Sequence, residues 1–322
     1  MERELPTDPK FYVSSKISFE HWPDLGEGNF YTNTGDKKIA VVYQTWSTEW
    51  YLPYIYHSLC SQIMYTDVLE MADIYLFVDE KRYDFAVHLF RNLIAKEQII
   101  KVKKEFAVKY MITTNPLLKK YEVVSVVDAD MFFYSDTKVD FYKKVLEETA
   151  KSDRPIAINV DNNAASVFFG RRDNLCTSIP QDQYIDFMAD SLSVDPDYVK
   201  IWLTDSQWAL SCIFIYKTSF FDKPLYYRHA LINTYAKQYC DETVWLGWTA
   251  MHGLKTLDVT EDLGYDVVIS IPFEMSIIEK NEPGKLLLIH PLVGTYRIND
   301  DMVEFIKQIQ ENFRLFAKKE EV

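Results

Sequence analysis

Residues 123 to 130 read V-V-S-V-V-D-A-D. A run of strand length, apolar apart from Ser125, stops abruptly on two carboxylates one residue apart. A buried strand over Val123–Val127 would deliver Asp128 and Asp130 to the C-terminal edge of a sheet, where open α/β sheets place their ligands. Side chains alternate along a strand, so the two carboxylates are expected on one face, with Ala129 leaving room beside them. Converging carboxylates repel, and a divalent cation is the usual remedy. Hard oxygen donors suit Mg²⁺, Mn²⁺ or Ca²⁺ rather than Zn²⁺. The same residues also fit two solvated turn carboxylates behind a core strand, and a bare D-x-D does not decide between the two.

The rest of the chain narrows the fold. Runs of strand character at Ile39–Tyr43, Ile74–Val78, Ile99–Val102 and Val123–Val127 alternate with helical spacing over Trp50–Met64, Phe85–Ala95 and Phe106–Leu118. Pro53 is tolerated in a first helical turn. A βαβαβαβ order argues for an α/β fold with a doubly wound, mainly parallel sheet flanked by helices. Beyond Asp130 the rhythm changes. Short strands are expected at Met131–Tyr134, Pro155–Val160, Cys212–Tyr216, Val267–Ile271 and Leu286–Ile289. Tyr227–His252 reads as mainly helical, Met302–Lys318 as an amphipathic closing helix, and residues 161–205 as loop and helix. No linker divides the chain. The expected plan is a polar N-terminal extension packed on the body (1–37) and one domain (38–322), with a nucleotide-binding half (38–135) and an acceptor half (136–322).

Composition removes several function classes. With 322 residues and 48% hydrophobic content the chain can bury a large core. The net charge of −13 disfavours nucleic acid, whose phosphates need clustered Lys and Arg. No apolar run approaches about eighteen residues, so no transmembrane segment is expected. The N-terminal Met1–Pro9 lacks the apolar core of a secretion signal. Four scattered cysteines (Cys60, Cys176, Cys212, Cys240), with no C-x-x-C pair, fit a reducing compartment. Together these lead to the expectation of a cytoplasmic location. No G-x-G-x-x-G follows the first strand and no G-x-x-x-x-G-K-[ST] occurs, which argues against dinucleotide and P-loop sites.

The segment V-V-S-V-V-D-A-D-M-F-F-Y-S-D (123–136) resembles the D-x-D region of GT-A-fold glycosyltransferases. Within them it is most similar to the retaining group that includes glycogenin and the lipopolysaccharide galactosyltransferases. A second segment, L-L-L-I-H-P-L-V-G-T-Y-R (286–297), is similar to that group's late strand ending in His, followed by Gly and a cation. Here the His-to-Gly spacing is one residue longer, and Arg stands for Lys. The resemblance implies a metal-dependent enzyme that moves a sugar from a nucleoside-diphosphate sugar, UDP-sugar favoured, to a hydroxyl of a glycan or other acceptor. It implies Mn²⁺ (or Mg²⁺) held by Asp128, Asp130 and His290, and a cation near the nucleotide at Lys109. It places Ala129, Ser211, Gly294 and Arg297 against the donor, and it favours retention.

The remaining candidates follow from position. Tyr43, Thr45 and Trp46 end the first strand and Asp79 the second, edges that in this fold meet base and ribose; Tyr43 equally suits the core. Asp241-Glu242 opens a helix, where acidic residues commonly cap and favour the dipole. In the resembling enzymes such a pair lies over the donor sugar and orients it, or takes the acceptor's proton. Asp205, in D-S-Q-W, fits either a sugar hydrogen bond or a helix cap. Two rival functions remain open: another metal-dependent nucleotide-sugar enzyme (a nucleotidyltransferase or hydrolase), and a non-catalytic carbohydrate-binding relative. Sugar transfer, against release of pyrophosphate or free sugar, discriminates the first. Metal-dependent nucleotide binding discriminates the second.

Overall fold

The computed structural model describes residues 28–45, 51–161, 181–205, 207–236, 241–269, 273–291 and 299–320. Its main sheet has seven strands: β1 (Ile39–Thr45), β2 (Ala72–Asp79), β3 (Ile99–Val102), β4 (Val123–Val127), β6 (Ile156–Asp161), β7 (Trp208–Lys217) and β8 (Leu257–Asp258). Their spatial order is β3-β2-β1-β4-β7-β6-β8. β1 pairs in parallel with β2 on one side and β4 on the other, and β2 with β3. β7 runs antiparallel to both β4 and β6. A three-stranded sheet combines β5 (Phe132–Tyr134), β10 (Leu287–His290) and β9 (Asp266–Ile269), with β10 antiparallel to β5 and parallel to β9. The α/β class and the mainly parallel sheet are as the sequence implies.

The period of two explains why the sheet is buried on both faces. In β4, Val123 and Val127 join one core while Val124 and Val126 join the other. Ile39, Val41, Ile74 and Leu76 fall on the first side, and Ala40, Val42, Tyr75 and Phe77 on the second. Helix Tyr51–Tyr65 and the amphipathic helix Asp300–Glu320 cover the first face; Trp245 and Trp248, of helix Asp241–Met251, cover the second. β1 leads outward to β2 and β3, and the chain then returns to lay β4 on β1's other side. The crevice between the C-terminal ends of β1 and β4 is therefore a topological switch point, where open α/β sheets bind ligands.

Several expected elements change. Residues 106–118 do not form one helix: the helix Lys109–Ile112 is flanked by 3₁₀ turns at Lys104–Phe106 and Pro116–Lys120. Asn115 and Pro116 explain the break, because the Asn115 side chain accepts from Leu117 N and Pro116 cannot continue a helical ladder. The helix after β2 is Tyr83–Phe90 and stops short of Ala95. Within 161–205, helices Gln181–Leu192 and Pro196–Asp205 form.

Candidate functional site

The strand ends at Val127, as its apolar run requires, and the carboxylates meet by a different route from the one strand alternation suggests. Asp128 to Asp130 belong to a turn, closed by Met131 N donating to Asp128 O at 3.2 Å. Asp128 N donates to Cys212 O at 2.8 Å, which ties the turn to β7. Beyond the turn, β5 pairs antiparallel with β10 in the register Ile289 to Phe132. That register carries His290, the last residue of β10, back to the level of the turn. Its Nε2 lies 3.3 Å from Asp130 Oδ1. One donor atom from each of Asp128, Asp130 and His290 falls within 4.8 Å of the others. Asp130 and His290 are buried, and Asp128 keeps 21% of its side chain exposed, so the cluster opens at one corner.

Two carboxylates and an imidazole fit a Mn²⁺ or Mg²⁺ ion, with coordination positions left over for other oxygens. His290 Nδ1 is buried without a hydrogen-bond partner, so the ring is not committed to a purely structural network.

Lys109 stands behind the turn in the short helix Lys109–Ile112. Its buried ammonium pairs with Asp128, reaches Asp241 Oδ2 at 3.7 Å, and donates to Ser211 O at 3.3 Å and Ser211 Oγ at 3.2 Å. Ser211 in turn donates to Glu242 Oε1, from Oγ at 2.8 Å and from its backbone N at 3.3 Å. Helix Asp241–Met251 is held at this point by Trp245, stacked on Phe214 of β7 with ring centroids 4.4 Å apart and planes 7° from parallel. Such a contact adds roughly 1 kcal/mol beyond area burial.

Electrostatics follow from this burial. Desolvation works against the charge on Lys109, but Asp128, Asp241 and Glu242 outweigh it and hold its pKa above the ordinary lysine value. Burial raises Asp128, with Lys109 only partly offsetting. Burial would also raise Asp130, yet the hydrogen bond and charge of His290 carry it below the usual carboxylate value. Burial opposes charge on His290, and the neighbouring Cys212 and Asp130 overcome it and raise its pKa; a bound metal ion would take the place of that proton. Asp241 is pushed up to about 7, mainly by burial, with Lys109 opposing and Glu242 and Asp128 adding to the rise.

The structure thus gathers Lys109, Asp128, Ala129, Asp130, Ser211, Asp241, Glu242 and His290. Other candidates fall elsewhere. Tyr43 is a core residue, 1% exposed, with its hydroxyl 2.9 Å from Ser58 Oγ. Asp79 does end β2, but its carboxylate is engaged by Arg82 Nη1 at 2.7 Å and by Lys81 N at 3.1 Å. Thr45 ends β1, fully buried, with Oγ1 unpartnered. Trp46, Gly294 and Arg297 lie outside the described residues, as does the side chain of Asp205, whose backbone ends a helix. Sequence reasoning missed Tyr51 and Tyr54, half-buried in the first turn after the β1 edge. Burial raises both phenols, and Asp130 is the next cause for each. Two aromatics three apart at a helix start, next to a strand's ligand edge, were the available signal.

No family model matches the chain, and no curated protein is similar to it in sequence. Among solved structures, a mannosyltransferase of S. cerevisiae, Ktr4p, matches 71% of this chain and 70% of its own at 13% identity and a TM-score of 0.46. The core-mannan synthase A of Aspergillus fumigatus, in its Mn/GDP form, matches 71% of this chain and 74% of its own at 11% identity and a TM-score of 0.38. The bifunctional glycosyltransferase WbbM matches 89% of this chain at 12% identity and a TM-score of 0.45, and the match spans about half of WbbM, 52%. These similar structures are glycosyltransferases. At such identities and scores the likeness is too slight to assign chemistry to this chain.

Proposed function

We propose that the chain is a metal-dependent glycosyltransferase, moving a sugar from a nucleoside-diphosphate sugar to a hydroxyl acceptor such as a glycan. The observation that carries this reading is the Asp128–Asp130–His290 cluster at the switch point between β1 and β4, with Lys109 behind it and two carboxylates at a helix start beside it. Residues 38–135 would form the nucleotide half and 136–322 the acceptor half.

Asp128, Asp130 and His290 would hold Mn²⁺ or Mg²⁺. When bound, the ion would supply positive charge to the diphosphate and to the charge developing on the leaving nucleoside diphosphate. Lys109 adds a fixed cation at the same place. Preorganised charge in a buried site stabilises such a leaving group at little reorganisation cost. Asp241, with its pKa near 7, can hold or release a proton at neutral pH and suits acid–base work on the acceptor hydroxyl. Glu242, fixed by Ser211, would face the donor sugar and orient it. Tyr51 and Tyr54 line the approach from β1. UDP-sugars are the favoured donors through the sequence resemblance, and retention is favoured on the same ground.

A panel of UDP- and GDP-sugars, incubated with Mn²⁺ and simple glycan acceptors, tests the reading. The expected result is nucleoside diphosphate and a glycosylated acceptor, both lost in EDTA. Pyrophosphate instead would point to a nucleotidyltransferase, and free sugar unaffected by any acceptor to a hydrolase.

A further inference from the structure

We propose that Ser211 is a positioning residue that fixes the Glu242 carboxylate in the reaction centre, and that an irregularity in β7 exists to place it. The inference rests on the reading of Glu242 as a donor-sugar residue.

Two independent observations support it. The first is backbone register. β6 and β7 pair at Ile156 with Ile215 and again at Ile158 with Leu210, so β7 runs five residues while β6 advances two. Side-chain alternation along β7 fails at the same place. Ile213 and Ile215 enter one core and Phe214 and Tyr216 the other, yet Cys212 enters the same core as its neighbour Ile213. Extra residues of this kind re-aim side chains and are common beside active sites. Here they leave Cys212 on the His290 side of the sheet, while Ser211 faces Lys109 and Glu242.

The second is the hydrogen-bond chain itself. A serine hydroxyl has one proton and two lone pairs. The Ser211 proton goes to Glu242 Oε1 at 2.8 Å, and a lone pair receives Lys109 Nζ at 3.2 Å. The direction is therefore fixed by a cation on one side and an anion on the other. The Ser211 backbone N, also donating to Glu242 Oε1, gives the carboxylate a second anchor on the same residue. Ser211 is 2% exposed, so water does not compete for these bonds. Lys109 simultaneously holds Asp128. One lysine thus couples the D-x-D turn to Glu242, and Ser211 is the hinge pin of that coupling.

The test uses the full chain and three variants, Ser211→Ala, Ser211→Thr and Glu242→Gln, with two readouts. Carboxyl ¹³C NMR of glutamate-labelled protein identifies the Glu242 resonance as the one lost in E242Q. It should move in S211A and return towards its wild-type position in S211T, which keeps the hydroxyl. In steady-state kinetics S211A should lose roughly tenfold or more in kcat, the scale of one hydrogen bond to a charged group, with KM for the donor within about twofold. S211T should recover most of the loss. An unmoved Glu242 resonance overturns the proposal whatever the activity, and so does a moved resonance with wild-type kcat. If wild-type protein turns over no donor, the functional reading fails. The resonance then still decides whether Ser211 holds Glu242.

Discussion

At the scale of single residues, the site is an exercise in buried charge. Lys109, Asp128, Asp130, Asp241 and His290 share one small volume; burial sets the direction of the shift at Asp128 and Asp241, and charged or hydrogen-bonding neighbours overcome burial at Lys109, Asp130 and His290. Asp241 and Glu242 separate cleanly by experiment. If either acts on the reacting atoms, Asp241→Asn or Glu242→Gln should lower kcat by roughly two orders of magnitude, the usual worth of a positioned acid or base. Affinity for the nucleoside diphosphate should stay near wild type, because the loss is confined to the transition state. A helix cap alone would behave otherwise, since Asn caps as well as Asp. Near-normal kcat in both variants would move the chemistry elsewhere. For Asp241→Asn we also expect the pH profile of kcat to lose the step near pH 7 that a carboxyl of this pKa produces.

At the scale of elements, the closing helix Asp300–Glu320 is bound to helix Tyr51–Tyr65 through a titratable contact. His57 Nδ1 lies 2.6 Å from Pro53 O, and Gln310 Nε2 lies 2.8 Å from His57 Nε2. The neutral tautomer with hydrogen on Nδ1 satisfies both bonds, and burial lowers the His57 pKa to about 4. The unfolded chain takes up this proton near pH 6.5, before the folded protein does. Stability from His57 is thus complete above pH 6.5 and is lost as pH falls towards 4, by about 3 kcal/mol in total. Denaturant titrations of wild type and His57→Gln at pH 7.5 and 4.5 check this. The variant should show the smaller loss on acidification, and equal losses would contradict the assignment. How far the elements could be read in advance follows the same physics. Strands β1 to β4 are mainly apolar runs between polar breaks, so their places along the chain were legible. The direction of β7 was not, because an apolar period of two is the same either way up. The turn at Asp128–Met131 was invisible for a related reason: alternation describes a strand, and the strand had already ended. Asp128, Asp130 and His290 were legible as a set through a resemblance of motifs, whereas the link from Lys109 through Ser211 to Glu242 joins residues far apart in sequence and needed the fold.

At the scale of the whole molecule, the protein is acidic, with a net charge of −13, and among the described residues its one buried Lys or Arg side chain, Lys109, stands at the D-x-D edge of the main sheet. Among the described residues no helix is long and apolar enough to cross a membrane. On the proposed function that edge receives a metal-bound nucleoside diphosphate, an anion that the rest of the acidic surface would repel. Isothermal titration calorimetry of UDP and GDP, with and without Mn²⁺, is the most direct check. Wild-type protein should bind at least one of them only when Mn²⁺ is present. Asp130→Asn and His290→Ala should each abolish that binding while keeping the wild-type circular dichroism spectrum. Nucleotide binding that is absent in Mn²⁺, or that proceeds unchanged without Mn²⁺ and in both variants, would contradict a metal-dependent donor site at this edge.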